Sequence, residues 1–165
     1  MSGGPVPHVE VGQRADLVEV HLLRLPLATH RAASEHADEL RREFTLIRAQ
    51  QADDDAADVP RRLVALMEEL EEQFSGYSDD TRVELDEAME RGEGSIDLVF
   101  RVPPEAGEAA VRLGAMLDEA DAHCRRGDAL LTLATAPDAL AYRRWYLEEF
   151  TRQLDGLPPR PWTGS

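Results

Sequence analysis

Ile96-Asp97-Leu98-Val99-Phe100-Arg101-Val102 is the segment that decides the fold of this 165-residue chain. Ile96, Leu98, Phe100 and Val102 alternate with Asp97, Val99 and Arg101, the period of a strand with one face on a core. Gly92 and Gly94 precede it and Pro103-Pro104 follows it, so it is short and sharply bounded. One more stretch reads as a strand, Asp16 to Leu25, ended by Pro26. Val18, Val20 and Leu22 fall on one of its faces and Leu17, Leu23 and Leu25 on the other, which predicts burial on both sides.

Outward from these strands the period changes to that of helices. Ala33, Ala37, Leu40, Phe44 and Ile47 form one stripe of a long helix over about 28–51. A second helix opens with Pro60 in its first turn and carries Leu63, Met67, Leu70 and Phe74; Ser75-Gly76 stops it. Thr81 and Glu84 have the spacing of a capping box and predict a third helix over about 81–90. A fourth, about 105–126, aligns Ala109, Leu113, Met116, Leu117, Ala120 and Cys124, with Gly127 as its cap. Residues 129–134 fit a short strand or a continued helical turn equally well. Thr135 and Pro137 start a last helix, about 137–154, ended by Gly156. The expected fold is α+β and helix-dominated: about five helices with a small two- or three-stranded antiparallel sheet. Residues 1–15 are expected to be a flexible N-terminus, 16–156 a single helix-rich domain, and 157–165 an extended Pro-rich tail.

Composition narrows the function. The net charge is −15, a field that repels phosphate backbones and anionic lipid, so neither nucleic acid nor a membrane is expected as partner. No apolar run approaches the ~20 residues of a membrane span. The N-terminus lacks a basic region followed by an apolar one, so the default expectation is a cytoplasmic protein. All 18 basic residues are arginine, which excludes lysine Schiff-base chemistry and a P-loop lysine. With a single cysteine, Cys124, no internal disulfide forms.

The titratable residues form no recognised catalytic pattern. Cys124 and His123 are adjacent but point ~100° apart on a helix. Cys124 lies on the apolar stripe and reads as a structural thiol, His123 as a surface partner of Glu119. His36, Glu39 and Glu43 share a helical face, yet no Glu-x-x-His motif stands on another helix to complete a di-metal site. Asp53, Asp54, Asp55 and Asp58 imitate a calcium loop, but its sixth and twelfth positions hold Asp58 and Val64 where glycine and glutamate are needed. No cofactor or metal is expected. Acid-first i,i+4 spacing pairs Asp38 with Arg42, Glu87 with Arg91, Glu108 with Arg112, Asp121 with Arg125 and Glu148 with Arg152.

The last helix carries the candidate site. Leu140, Leu147, Phe150 and Leu154 make its core stripe. Tyr142 and Trp145 project from the other side, where they are either covered by another element or serve as a protein-binding anchor. Arg143 faces the stripe, and with Tyr146 completes a candidate interaction or pocket set of Tyr142, Arg143, Trp145 and Tyr146. The segment Pro158-Pro159-Arg160-Pro161-Trp162 is an extended peptide ligand or a terminus with Trp162 packed back on the domain.

Cys124 to Ala134, followed by Pro137 and Arg143-Arg144-Trp145-Tyr146, resembles a group of small acidic actinobacterial proteins associated with partner-switching regulators of the anti-sigma and anti-anti-sigma (STAS) type. The likeness extends through Val59–Leu70 and Ile96–Val102. It implies an accessory role with an anti-sigma or STAS-type partner and carries over no catalytic residue. The chain lacks the asparagine and glycine boxes of the anti-sigma kinases, and the βαβα rhythm and phosphorylated serine of the STAS antagonists. The expected function is a non-catalytic protein–protein interaction or regulatory module, accessory to stress signalling. The alternative is a small-molecule sensor or an unrecognised enzyme using Arg143, Tyr146, His36 and Glu39 around a cavity, and a homodimer or structural oligomer is a further reading.

Overall fold

The computed structural model describes residues 16–50, 58–127 and 134–164. The chain runs β1 (Val18–Pro26), α1 (Leu27–Gln50), α2 (Asp58–Phe74), a 3-10 turn (Ser75–Tyr77), α3 (Asp79–Glu90), β2 (Ser95–Val102), α4 (Ala106–Arg125) and α5 (Pro137–Leu154). Five helices thus accompany an antiparallel pair of strands, a helix-dominated α+β fold. The Asp-rich loop up to Ala57 and the ambiguous 129–133 lie outside the described residues, as does the N-terminal 1–15; Ala134 belongs to no regular element.

The two strands pair from Val18 opposite Val102 to Pro26 opposite Ser95, with a bulge between Leu22 and Leu25. Arg24 occupies the bulge at φ 56°, a left-handed conformation that costs a non-glycine residue about 1–2 kcal/mol. Its N–H donates to Asp97 Oδ1 at 2.7 Å, which holds the kink. The extra residue flips Leu25 onto the face of Val20 and Leu22, and all three are fully buried. β1 is therefore not buried on both sides: Leu17 and Leu23 are only half-covered. Simple alternation cannot anticipate a bulge.

The outer edge of β1 is closed by α5 and the tail. The Gln153 amide accepts from His21 N–H and donates to His21 C=O, both at 2.8 Å, in the manner of a neighbouring strand. Trp162 N–H donates to Leu23 C=O at 2.9 Å. Unpaired strand edges invite association, and here one is covered.

Two cores result. The sheet-side core collects Val20, Leu22, Leu25, Leu98, Phe100, Tyr142, Trp145 and Phe150, with α3 contributing Leu85 and Ala88. The helical core holds Leu40, Phe44 and Ile47 of α1, Leu63 and Val64 of α2, and Ala120 of α4. α1 and α4 run through both. Gly107 lets α4 approach α5 closely, since a Cβ there would lie 3.3 Å from Leu154 Cδ1.

α2 is tied to its neighbours by charges that cross between helices. Arg41 reaches Glu71 at 2.6 Å, Arg48 reaches Glu68 at 3.1 Å, Arg112 reaches Glu69 at 2.9 Å, and Arg62 reaches Glu119 at 2.6 Å. Of the pairs expected within helices, Glu87–Arg91 forms, at 3.8 Å. Asp121 turns to Arg143, Glu148 to Arg160, and Arg42 to the carbonyl of Asp38. α3 also starts earlier than the capping box predicts. Ser78 is its N-cap, Asp79 and Asp80 place acids at the positive end of the helix, and the buried Thr81 hydroxyl donates to Ser78 C=O instead.

Candidate functional site

The candidate residues of α5 have separate fates. Tyr142 and Trp145 are 3% and 9% exposed, so neither is an anchor for a protein partner. They are covered by the tail. Trp162 meets the ring of Tyr142 edge-on at 5.8 Å and that of Trp145 at 5.5 Å, and Trp145 Nε1 donates to Arg160 C=O at 3.0 Å. The segment after Gly156 is thus a clasp laid against α5. Its bolt is Glu149, which is fully buried. The carboxylate accepts from Arg160 N at 2.9 Å, Arg160 Nε at 2.8 Å and Gln153 Nε2 at 3.0 Å. Burial pushes this carboxyl up, but the Arg160 and Gln153 donors outweigh it and hold it below the usual carboxylate range.

Arg143 is spent on structure. It donates to Asp118 Oδ1 at 2.7 Å, to Asp121 Oδ2 at 2.8 Å and to Thr135 Oγ1 at 3.2 Å, pinning α5 to α4. Asp121 also accepts the Thr135 hydroxyl at 2.7 Å and its N–H at 3.0 Å. Burial raises the Asp121 carboxyl, and the Thr135 and Arg143 donors lower it further than burial lifts it. Since the Thr135 proton goes to Asp121, His36 Nε2 at 3.2 Å must be the donor to Thr135 Oγ1. Thr135 is therefore a bridge between α4 and α1, and Ala136 takes the N-cap position of α5.

Tyr146 stands apart. It lines three hollows at the seam between the two cores. One, of about 320 Å³, lies among α2, β2, α4 and α5, with Phe74, Phe100, Val102, Leu113 and Leu147 on its walls. A second, of about 270 Å³, lies among α1, α4 and α5 and is walled by Leu40, Leu113, Leu117 and Tyr142. The third, about 510 Å³ and more polar, is the cleft between α1 and α3. Such volumes are those of small-molecule sites. The hollows exist because the helices face one another with alanines: Ala106, Ala109 and Ala110 at the first, Ala33, Ala37 and Ala139 at the second. Methyl groups cannot fill the space that the helix spacing leaves.

The polar groups around the hollows are largely consumed by one another. His30 Nδ1 is bonded to the Tyr142 hydroxyl at 2.7 Å, and burial depresses its pKa, so the ring is neutral near pH 7. Burial raises the Tyr142 phenol strongly. It pushes Tyr146 up to about 12, so that side chain is a neutral donor, and its hydroxyl makes no hydrogen bond among the described residues. The structure thus brings His36, Arg143 and Tyr146 to one cavity, adds His30, and leaves Glu39 exposed outside it. Phe74 and Phe100 read in the sequence as core residues, because an apolar wall residue has the same pattern, and no spacing signal marks His30. The runs of alanine on facing helices are the signal that would have marked the seam.

The other candidates resolve simply. His123 is not on the surface: it is 3% exposed and meets Phe44 edge-on at 5.5 Å. Burial, then the charges of Asp121 and Glu43, push the Cys124 thiol up to about 11, so it is a poor nucleophile at neutral pH. His36, Glu39 and Glu43 do not converge, and among the described residues no group of His, Cys, Asp or Glu could hold a metal ion. None of the described helices is long and apolar enough to cross a membrane. No protein-family model, curated protein or solved structure matches the chain.

Proposed function

We propose that the chain is a non-catalytic regulatory module whose input is a small, predominantly apolar molecule held in the seam around Tyr146. The observation that carries this reading is the apolar hollow itself, walled by aromatic and aliphatic side chains and opened by alanines. Binding rather than chemistry is the role these groups suit. Arg143 is paired with Asp121, His36 is bonded to Thr135 and His30 to Tyr142, and the thiol is held protonated. A ligand bridging the two cores would add contacts that neither core makes alone and would couple α1, α4 and α5. The resemblance to proteins associated with anti-sigma and STAS-type regulators supplies the proposed output, a contact with a protein partner. That contact does not use Tyr142 or Trp145, which the tail covers.

The test is titration of the protein with Nile red, a neutral apolar dye, followed by fluorescence. The expected result is saturable one-to-one binding with a blue-shifted emission that is lost in Ala109→Leu, whose side chain would fill the larger apolar hollow. Absence of saturable binding, or binding indifferent to both Ala109→Leu and Ala37→Leu, overturns the reading.

A further inference from the structure

We infer that the seam takes an amphipathic carboxylate, with its apolar body in the hollow among α2, β2, α4 and α5 and its head group on Arg82. This rests on the reading of the seam as a binding cavity and names the class of molecule. The body follows from size and lining. An apolar void of about 150 Å³ accepts a benzene ring, and the larger apolar hollow measures about 320 Å³. It suits a medium-length alkyl chain or a fused pair of rings.

The head group follows from charge at the mouth. Two charged side chains border this hollow, Glu71 and Arg82. Glu71 is neutralised by Arg41 at 2.6 Å. Arg82 is exposed on the first turns of α3 and has no acidic partner among the described residues. Arg41, Arg48, Arg62 and Arg112 are bound to acids; Arg31 lines the α1–α3 cleft but not the apolar hollow, which leaves Arg82 as the arginine at its mouth. A free guanidinium at the rim of an apolar pocket is a fork for a carboxylate. Arg82 also borders the α1–α3 cleft, so it stands where the two openings meet, with Ser78, Phe100 and Tyr146.

The acids of the molecule set the limits of the site. Glu35, Asp38 and Asp86 line the α1–α3 cleft but not the apolar hollow, so the head group is held at Arg82 and not deeper in that cleft. The net charge of −15 repels any anion at a distance. Salt screens that repulsion more than a close contact, so carboxylate affinity is expected to hold or rise with moderate salt.

Calorimetric titration of the full chain with decanoate and decyltrimethylammonium, each below its micelle concentration, and with decan-1-ol below its solubility limit, tests this. Decanoate is expected to bind at least tenfold more tightly than decanol, and Arg82→Gln is expected to remove that preference while leaving decanol binding unchanged. Equal affinity for decanoate and decanol, or a preference for the cation, overturns the carboxylate inference and leaves the apolar cavity standing. Failure of all three to bind, with Nile red also excluded, overturns the cavity reading itself. Decanoate binding that survives Arg82→Gln with its preference intact also contradicts the inference.

Discussion

The two cores are built from different materials. The sheet-side core is aromatic: Phe100, Tyr142, Trp145, Phe150 and the tail residue Trp162 pack on one another, and a buried carboxylate locks the tail over them. The helical core is aliphatic around Phe44, and its outer face is laced by arginine–glutamate pairs that remain half in water. The lesson is in what separates them. Along the seam the larger side chains are interspersed with alanines, whose methyl groups leave space that neither core fills.

The largest effects should come from emptying each core in turn. Phe44→Ala and Trp145→Ala are each expected to cost about 4 kcal/mol. Chemical denaturation checks this. If the two regions differ in this way, Trp145→Ala will also free the tail and raise chymotrypsin cleavage after Trp162, whereas Phe44→Ala will not.

Removing the bolt comes next. Glu149→Ala strips Arg160 and Gln153 of their shared acceptor and is expected to cost about 3 kcal/mol. The sign with pH follows from the lowered carboxyls of Glu149 and Asp121. Their contribution is complete above the ordinary carboxylate pKa and is lost as pH falls through the lower folded values. His30 acts at higher pH. Its folded pKa lies below 6.5, so as pH falls below 6.5 the unfolded chain takes up a proton that the folded chain refuses, and stability declines. His30→Phe should flatten the dependence of stability between pH 7 and 5; an unchanged slope would assign it elsewhere.

Filling the seam should have the opposite sign. Ala109→Leu is expected to stabilise the free protein by about 1 kcal/mol, because it fills space that the wild type leaves open. A loss of stability would mean the hollow is already closed. The smallest effect belongs to the laced face of α2. Arg112→Gln should leave the denaturation midpoint unchanged, because an exposed pair is screened by water and salt.

Much of the fold was legible along the chain. β2 alternates without a break, and Gly127 and Pro137 mark where α4 stops and α5 starts. What failed to show were features that depend on a second element. The bulge at Arg24 depends on Asp97 across the sheet. Helical spacing pairs Arg112 with Glu108, whereas Arg112, like Arg41, Arg48, Arg62 and Arg143, reaches an acid on a different helix. Tyr142 and Trp145 were set against a stripe on the far side of α5, but that helix is covered on both flanks, by α4 and by the clasp. The candidate site is half legible: the sequence singles out Arg143 and Tyr146, and Tyr146 alone lines all three hollows, while Ala33, Ala37 and Ala109 read as members of filled core stripes.

The most direct test of the seam as a binding site is a methyl-detected NMR titration of the full chain with decanoate. The account predicts shifts concentrated on Leu113, Leu147 and Val102, at the junction of the two cores. Shifts confined to exposed Leu46, Val83 and Val111, or none at saturating decanoate and decanol, would contradict it.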